Sequence, residues 1–451
     1  MVRVLVPSGA LGLNYDAEAL ERGIAQCPDV IAIDGGSTDS GPSYLGRGLS
    51  KYARSSTKTE WAGLMAARAK AGCPLIIGSA GTCGTDSAVD WLLEITREIV
   101  SERGESVKVA MLRSSQDSAK IARAWDAGRI TALANAPSVD AARIASCTNI
   151  VALAGVEQVN LALATGADIV ICGRTTDSAL IAALPIARGV PAGYSWHGGK
   201  IAECGALCTT NPQSGVVIVE FDAGGFTVIP MSDTAQATPQ TVSAHMLYEN
   251  SNPNILFEPG GHLDVTQAVY SACDERSVRV TGSRWVDAEP YAVKLEGARA
   301  AGFQTVTMAL LRDPRYVAQA SEWAEDIEAK CREKACSRLS LSLDEFSLEI
   351  RLIGHSATFG ALESQSGHPV EIGAVGIVTA ETEALAGEIG KLLNPYMLHH
   401  PLTENEELPT FAFPFSPPEM HRGEIYEFVL NHVLHLEDPM DAFRLEVQEV
   451  G

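Results

Sequence analysis

Four loops rich in glycine, serine and threonine each follow a short apolar run and offer groups that could bind a small molecule. The loops span residues 7–12, 34–39, 78–86 and 173–178. Glycine lets a backbone approach a ligand closely, and amides at the start of a following helix favour a negatively charged group. None of the loops matches a nucleotide fingerprint such as GxxxxGK[ST]. Turns and helix caps use the same residue types, so each loop alone also fits a structural role.

Arg174 and Asp177 are the sharpest candidates for catalysis, because they follow the apolar run 168–172. A guanidinium can hold a carboxylate or a phosphate as a planar fork, and a nearby carboxylate can orient it or act as a base. Asp177 could instead cap the following helix, with Arg174 paired to a neighbouring loop. Glu203 and Glu249 are further candidate acids or bases, and they are equally compatible with hydrogen bonding inside loops.

The same loops supply most of the residues expected to contact the ligand. These residues are Gly35, Gly36, Ser37, Thr38, Asp39, Ser79, Gly81, Thr82, Gly84, Thr175, Thr176 and, from a later segment, Tyr248. No metal site and no cofactor are predicted. The ten cysteines lack CxxC spacing, and nothing fixes a third ligand beside His399 and His400.

The elements that must position these loops alternate between strand and helix signals. Apolar, β-branched runs predict strands at 2–6, 29–33, 74–77, 107–112, 130–133, 150–153 and 168–172. A helix is predicted at 86–102, where the apolar residues fall largely on one side. Repeated strand–helix units predict an α/β fold with a doubly wound, mostly parallel sheet. Ligands bind such sheets outside the carboxyl ends of the strands, so the four loops would share one pocket.

The later part of the chain changes character. Residues 191–290 predict a β-rich insertion that contains a hairpin, with strands at 216–221 and 226–229 around an Asp-Ala-Gly-Gly turn. After it, the pattern predicts a helix at 291–301, a strand at 305–310 and a long charged helix at 314–336. Alternating apolar residues at 346–353 then begin what reads as a separate small α+β domain. The expected domains are therefore 1–336 and 340–451.

Composition narrows the class of protein and its partners. The chain has 451 residues, 46% of them hydrophobic, and a formal net charge of −22, which disfavours nucleic acid and anionic membranes as partners. The strand-like run 2–6 leaves no room for a secretory signal, and a cytoplasmic location is expected. Aromatic residues and prolines at 411–418 predict a homo-oligomer, although this segment could equally pack on the chain itself.

Several segments together resemble the acyclic terpene utilisation family AtuA. They are 78–84, 167–180, 203–205, 248–249 and 278–282. The resemblance covers nearly the whole chain, and Gly-Arg-Thr-Thr-Asp-Ser at 173–178 is its most specific part. In that family a large α/β domain is often accompanied by a small ferredoxin-fold domain, so the resemblance implies that fold for 340–451. It also implies catabolism of small acids or acyl-CoA derivatives, without a mechanism.

Three functions fit these features. The first is a cofactor-independent lyase, hydratase or isomerase that acts on a small carboxylic acid or an acyl-CoA, because the loops offer a base, a cation and an anion-stabilising cradle. The second is a non-catalytic subunit that binds a ligand for a partner enzyme. The third is an NAD(P)-linked oxidoreductase, which the absence of a dinucleotide fingerprint disfavours.

Overall fold

The computed structural model describes residues 1–365, 367 and 369–451, and these residues form twenty β-strands and thirteen α-helices. The strands are β1 (Val2–Val6), β2 (Val30–Ile33), β3 (Leu75–Ile77), β4 (Val107–Arg113), β5 (Ser115–Gln116), β6 (Ile130–Ala132), β7 (Asn149–Ala152), β8 (Ile169–Cys172), β9 (Val217–Asp222), β10 (Gly225–Pro230), β11 (Ile255–Glu258), β12 (Gly261–Asp264), β13 (Val269–Ala272), β14 (Val278–Thr281), β15 (Arg284–Asp287), β16 (Ala292–Leu311), β17 (Phe346–Ile353), β18 (Ile372–Ala380), β19 (Met420–His435) and β20 (Arg444–Val450). The helices are α1 (Ala17–Ile24), α2 (Ser43–Arg47), α3 (Arg54–Ala71), α4 (Asp86–Arg103), α5 (Ser118–Asp126), α6 (Ala141–Ala145), α7 (Val156–Ala164), α8 (Asp177–Ala187), α9 (Ala192–Ala202), α10 (Pro239–Ala244), α11 (Pro314–Ala318), α12 (Ala320–Leu339) and α13 (Glu383–His399).

The chain divides into two compact units. The first unit contains residues 1–299 and 428–451, and the second unit contains residues 300–427. The chain crosses from one unit to the other within β16 and again within β19. In the part of the chain that the structure describes, no helix combines the length and the apolar content needed to cross a bilayer.

A ten-stranded mixed sheet organises the first unit. Its strand order is β13-β14-β10-β9-β1-β2-β3-β8-β4-β20. The five strands from β1 to β4 in that order run parallel, and the strands on either side of them are antiparallel. The α/β class is therefore confirmed. Half of the strands, rather than most of them, belong to the parallel part, because the predicted hairpin β9–β10 adds to one edge and β20 adds to the other.

Short apolar strands suit the middle of this sheet because both of its faces are covered. Along β2, Val30 and Ala32 pack in one buried cluster, whereas Ile31 and Ile33 pack in another. Alternate residues of a strand point to opposite faces, so both faces of the sheet exclude water. Helices α1, α3 and α4 contribute to one cluster, and helices α5, α7, α8 and α9 contribute to the other.

Most of the predicted elements lie within a few residues of their observed positions, and residues 291–301 are the main error. They were expected to form a helix, but all of them except Tyr291 belong to strand β16, which pairs with β7 through Leu295 with Ala152. Helix propensities differ by less than about 1 kcal/mol for ordinary residues, so pairing with a neighbouring strand can outweigh them. The single helix expected at 314–336 is divided at Gln319 into α11 and α12.

The second unit has its own core. Strands β17, β18 and the second half of β16 form antiparallel pairs, and α12 and α13 contribute side chains to the same buried cluster as these strands. This unit begins at residue 300 and ends at 427, whereas the sequence predicted a domain at 340–451. The difference arises because β18 pairs with β16, and because the last strand, β20, pairs with β4 in the first unit. The ferredoxin-like topology stays a prediction.

Candidate functional site

The loops that follow β1, β2, β3 and β8 meet at one edge of the parallel strands. Their backbones are hydrogen bonded to one another: the amide of Gly35 donates to Gly78 O at 2.9 Å, and the amide of Ser79 donates to Gly173 O at 2.9 Å. This edge is formed by the carboxyl ends of the strands, which is where parallel α/β sheets bind their ligands.

Two of the predicted glycines are required by how closely these loops approach one another. A Cβ atom at Gly84 would lie 2.2 Å from the backbone nitrogen of Arg174, and Gly84 also has a φ of +63°. A Cβ atom at Gly35 would lie 2.4 Å from the carbonyl oxygen of Ser79. Because these positions admit no side chain, glycine is required at both of them for the close packing of the loops.

The loops border a cavity of about 490 Å³ within the first unit. Its walls are formed by Ser8, Gly9, Ala10, Leu13, Asn14, Asp34, Gly36, Ser37, Lys51, Tyr52, Thr82, Asp177, Cys204, Leu207, Pro212, Gln213, Gly215, Tyr248 and Glu249. Ligand pockets commonly have volumes of roughly 300–1,000 Å³, so this cavity could hold a small metabolite or the reacting end of a larger one.

Six of the predicted site residues line this cavity: Gly36, Ser37, Thr82, Asp177, Tyr248 and Glu249. Ten others lie behind the wall or on the surface: Gly35, Thr38, Asp39, Ser79, Gly81, Gly84, Arg174, Thr175, Thr176 and Glu203. Several of these residues hold the loops together. The hydroxyl of Ser79 donates to Thr175 O at 3.1 Å, and the hydroxyl of Thr175 donates to Gly173 O at 3.0 Å. Asp39 is exposed and accepts a hydrogen bond from Ser37.

Arg174 is buried behind the cavity and its guanidinium is used within the protein. It donates from Nε to Oε2 of Glu296 at 3.0 Å, and from a terminal nitrogen to the hydroxyl of Ser79 at 2.9 Å. Lys294 and the hydroxyl of Thr38 also contact the Glu296 carboxylate. Burial alone would raise the pKa of Glu296, but Arg174 and Lys294 outweigh it and hold that pKa at about 2. The geometry gives Arg174 a positioning role for these loops.

Two carboxyl groups, those of Asp34 and Asp177, line the same cavity. Asp34 directly follows β2, and its Oδ2 accepts from the Gly36 amide at 2.7 Å. Burial raises the pKa of Asp34 to about 7, although Arg174 acts to lower it. Asp177 opens helix α8 and is partly exposed. Burial, followed by the charges of Asp34 and Glu203, raises its pKa well above the ordinary value. The charge of Asp34 and the burial of both groups therefore disfavour the ionised form of Asp177.

Strained and unpartnered groups occur on the same wall. Thr82 has a φ of +76° and Glu249 a φ of +53°, which are uncommon for residues with a side chain. Within the described residues, Asp34 Oδ1 and Thr82 Oγ1 are buried and have no hydrogen-bond partner. Unpaired buried polar atoms and strained backbone are both costly, and both concentrate at functional sites.

A second polar cluster adjoins the cavity through Cys204. Glu203 lies at the end of α9, where its carboxylate accepts from Lys200 Nζ at 2.6 Å and from the Ser178 hydroxyl at 2.8 Å. Donor atoms of Glu203, Cys204 and His245 all lie within 4.8 Å of one another. These three residue types can ligate a metal ion, which the sequence did not predict. Burial, followed by the charge of Glu203, raises the pKa of Cys204.

Tyr248 and Glu249 form the exposed rim of the cavity. The Tyr248 ring stacks on His245 with 5.3 Å between ring centroids, and Lys200 Nζ donates to Tyr248 O at 2.9 Å. Burial and the neighbouring Cys204 raise the pKa of Tyr248, so its hydroxyl keeps the proton at neutral pH and can donate it in a hydrogen bond. Burial likewise raises the pKa of Tyr52, which also lines the cavity, above its ordinary value.

Sequence reasoning missed several residues of this site. Asp34 stands directly after a predicted strand, which was a usable signal. Cys204 is adjacent to the predicted Glu203, and His245 lies three residues before the predicted Tyr248, so both were close to candidates. Lys51 carries no comparable signal, because it lies in a loop whose path only the fold reveals.

Fold and site together define an α/β protein with an acid-rich small-molecule cavity at the carboxyl edge of parallel strands. The family model of the acyclic terpene utilisation family protein AtuA matches residues 59–407. The match spans more than half of the chain, so the protein belongs to the AtuA family, as its loop motifs predicted. The searches of curated proteins and of solved structures find no match.

Proposed function

We propose that the protein is a catabolic lyase, hydratase or isomerase that moves a proton next to a carbonyl group, with Asp177 as the base. The observation that carries this proposal is the pair of carboxyl groups, Asp34 and Asp177, on one cavity wall. General acid–base catalysis works best with groups whose pKa lies near the working pH. Asp177 is the partly exposed member of the pair and would contact the substrate, while the buried Asp34 would share its proton.

The charge of the cavity favours an acyl-CoA over a free carboxylic acid. Among the lining residues that the structure describes, Lys51 is basic, and Asp34, Asp177 and Glu249 are acidic. A free carboxylate would be repelled by these groups, whereas a thioester presents a neutral carbonyl. The cavity volume suits the acyl end of the molecule, with the remainder of the CoA outside and Lys51 placed to attract its phosphates.

Tyrosine hydroxyls would stabilise the negative charge that forms on the carbonyl oxygen. Tyr52 and Tyr248 line the cavity, and both keep their protons at neutral pH. Donors aimed at an oxygen that gains charge lower the barrier more than donors that bind the ground state. The proposed chemistry thus needs no nicotinamide cofactor.

The remaining expectations belong to the same proposal. The enzyme would act in the cytoplasm as a homo-oligomer, and its second unit would correspond to the ferredoxin-like domain that accompanies many family members. Phe411 packs against Tyr316 and Trp323 inside the second unit, so the half-exposed Phe415 is the aromatic residue of this segment that offers a surface for association. The doubly wound arrangement is proposed for the parallel strands of the sheet, which are β1, β2, β3, β8 and β4.

The test is hydrogen–deuterium exchange in heavy water, followed by mass spectrometry of a panel of short acyl-CoA thioesters and the matching free acids. The wild-type chain should exchange the proton next to the thioester carbonyl. Asp177→Asn should slow this exchange by about 10²–10⁴-fold, which is the usual contribution of a general base. Asp126→Asn is the matched control, because Asp126 lies at the end of α5, is exposed and does not line the cavity.

Two results would contradict the proposal. Full exchange by Asp177→Asn would exclude Asp177 as the base. If the wild type is stabilised by a thioester in a thermal-shift assay but exchanges no proton in any compound, the protein is a ligand-binding subunit. A ligand at about 100 times its dissociation constant stabilises a fold by about 2.7 kcal/mol, so binding is detectable without turnover.

A further inference from the structure

Three side chains beside the cavity combine the donor types that soft and borderline metal ions prefer. A carboxylate oxygen of Glu203, the sulfur of Cys204 and an imidazole nitrogen of His245 lie within 4.8 Å of one another. In a tetrahedral zinc site with bonds of about 2.0–2.3 Å, ligand atoms lie roughly 3.3–3.8 Å apart. Small side-chain rotations would therefore bring the three atoms to binding distance.

His245 gives an independent indication that something binds in this cluster. Its side chain is buried, with the residue 4% exposed, and its Nε2 has no hydrogen-bond partner among the described residues. Most buried polar atoms have a hydrogen-bond partner, so an unpartnered ring nitrogen on a histidine beside a thiol and a carboxylate is open to a ligand. Stacking of the ring on Tyr248 holds the imidazole in this orientation.

The surroundings of Glu203 prepare it for a ligand role. Lys200 Nζ donates to Oε1, and the Ser178 hydroxyl donates to Oε2. A carboxylate oxygen has two lone pairs, so each oxygen can keep its hydrogen bond and still bind a metal. Hydrogen bonds of this kind orient metal ligands in known sites. Lys200 also donates to Tyr248 O at 2.9 Å, which holds the ammonium group in place if the metal weakens its bond to Glu203.

We infer that Glu203, Cys204 and His245 form a three-ligand site for a zinc ion, with its fourth position open to the cavity. Cys204 itself lines the cavity, so the open position faces the space in which a substrate would lie. Three protein ligands with one open position are typical of catalytic zinc, whereas structural zinc has four protein ligands. Sulfur and nitrogen donors exclude magnesium and calcium, which prefer oxygen.

The zinc ion would polarise a carbonyl oxygen that enters the open position, as a Lewis acid. Binding would release the thiol proton of Cys204 to solvent, because the thiolate is the form that ligates metal. This inference concerns the wall of the same cavity, but it does not depend on the proposed function.

The test measures metal binding by the full-length protein without using its activity. The protein is purified without a metal-affinity step, equilibrated with zinc, separated from free zinc and analysed by mass spectrometry of the metal. We expect about one zinc per wild-type chain, as for a single three-ligand site. Cys204→Ser and His245→Gln should each weaken binding by more than the roughly 10–100-fold that loss of an outer hydrogen-bond partner costs. Cys208→Ser is the matched control, because Cys208 is buried nearby and its thiol donates to Gly205 O.

Cobalt provides a second measurement on the wild type, which does not depend on how the variants fold. Cobalt bound by Cys204 should produce a near-ultraviolet sulfur-to-metal absorption band, and zinc should displace it. Zinc should raise the melting temperature while magnesium at the same concentration should not. Absence of bound zinc and of the cobalt band, or an equal loss of zinc in Cys208→Ser, overturns the inference.

Failure of this inference and failure of the proposed function give different results. If deuterium exchange depends on Asp177 in a protein that binds no zinc, the metal-site inference is wrong and the proposed function stands. If the protein binds one zinc per chain through Cys204 but exchanges no proton in any compound, the metal site stands and the proposed function is wrong.

Discussion

Glu296→Gln tests whether the buried ion pair behind the cavity holds the loops in place. The substitution keeps the shape of the side chain but removes its charge. Glu296 is 4% exposed and Arg174 is 8% exposed, so Arg174 would lose its anionic partner with little water to replace it, whereas Lys294 is 36% exposed and stays hydrated. Removal of one partner from a buried ion pair costs about 3–5 kcal/mol.

The pKa of Glu296 gives a similar magnitude. A folded-state pKa of about 2 instead of 4.5 corresponds to about 3 kcal/mol, at roughly 1.36 kcal/mol for each pH unit. Because the folded-state pKa is lowered, this stabilisation is present above pH 4.5 and is lost as the pH falls towards 2. The free energy of unfolding of Glu296→Gln should therefore differ most from the wild type at neutral pH, and the difference should shrink at pH 3.

Urea unfolding followed by far-ultraviolet circular dichroism measures this difference. Glu220→Gln is the matched control, since Glu220 pairs with Arg3 at 2.6 Å but both side chains are partly exposed, at 21% and 36%. An exposed ion pair contributes about 0–1 kcal/mol, so the free energy of unfolding of Glu220→Gln should differ little from that of the wild type. If both variants lose the same free energy, or if Glu296→Gln loses less than about 1 kcal/mol, the pair does not hold the loops.

Two further predictions concern Asp34 and Arg174. Burial raises the pKa of Asp34 to about 7, so its contribution to stability is present below about pH 4 and is lost as the pH rises through 7. Asp34→Asn should flatten this dependence between about pH 4 and pH 7 by up to about 1.4 kcal/mol for each pH unit, and an unchanged pH dependence of the unfolding free energy would contradict the raised pKa. Arg174→Lys keeps the charge but loses the planar fork to Glu296 and Ser79, so unfolding free energy and deuterium exchange should fall together. Normal stability with lost exchange would instead indicate direct contact of Arg174 with the substrate.

The strands and the loops of the site were predictable because they depend on local pattern. The run 168–172 is apolar and β-branched, and it forms β8 at Ile169–Cys172. The loop that follows it contains Asp177, which lines the cavity. A buried strand and the polar turn after it are encoded within about ten residues, so one sequence is enough to identify them.

Contacts between distant segments were not predictable in the same way. Arg174 and Glu296 are separated by 122 positions, and Glu296 lies in the stretch that was expected to be a helix. Only the pairing of β16 with β7 brings that carboxylate to the loops. The sequence alone therefore left the guanidinium of Arg174 available for a ligand, whereas the fold pairs it with Glu296. His245 and Cys204 are brought together by the fold in the same manner.

The acids of the cavity are better explained by function than by stability. Asp34 and Asp177 both have pKa values raised by burial, which means that the fold disfavours their charged forms. The guanidinium of Arg174 binds Glu296 rather than these carboxyl groups, and Asp34 Oδ1 has no partner among the described residues. An amide or an apolar residue would remove this cost if packing were the sole requirement. Acids with raised pKa values in one cavity are the arrangement that proton transfer or cation binding uses, which is why the proposed function rests on Asp34 and Asp177.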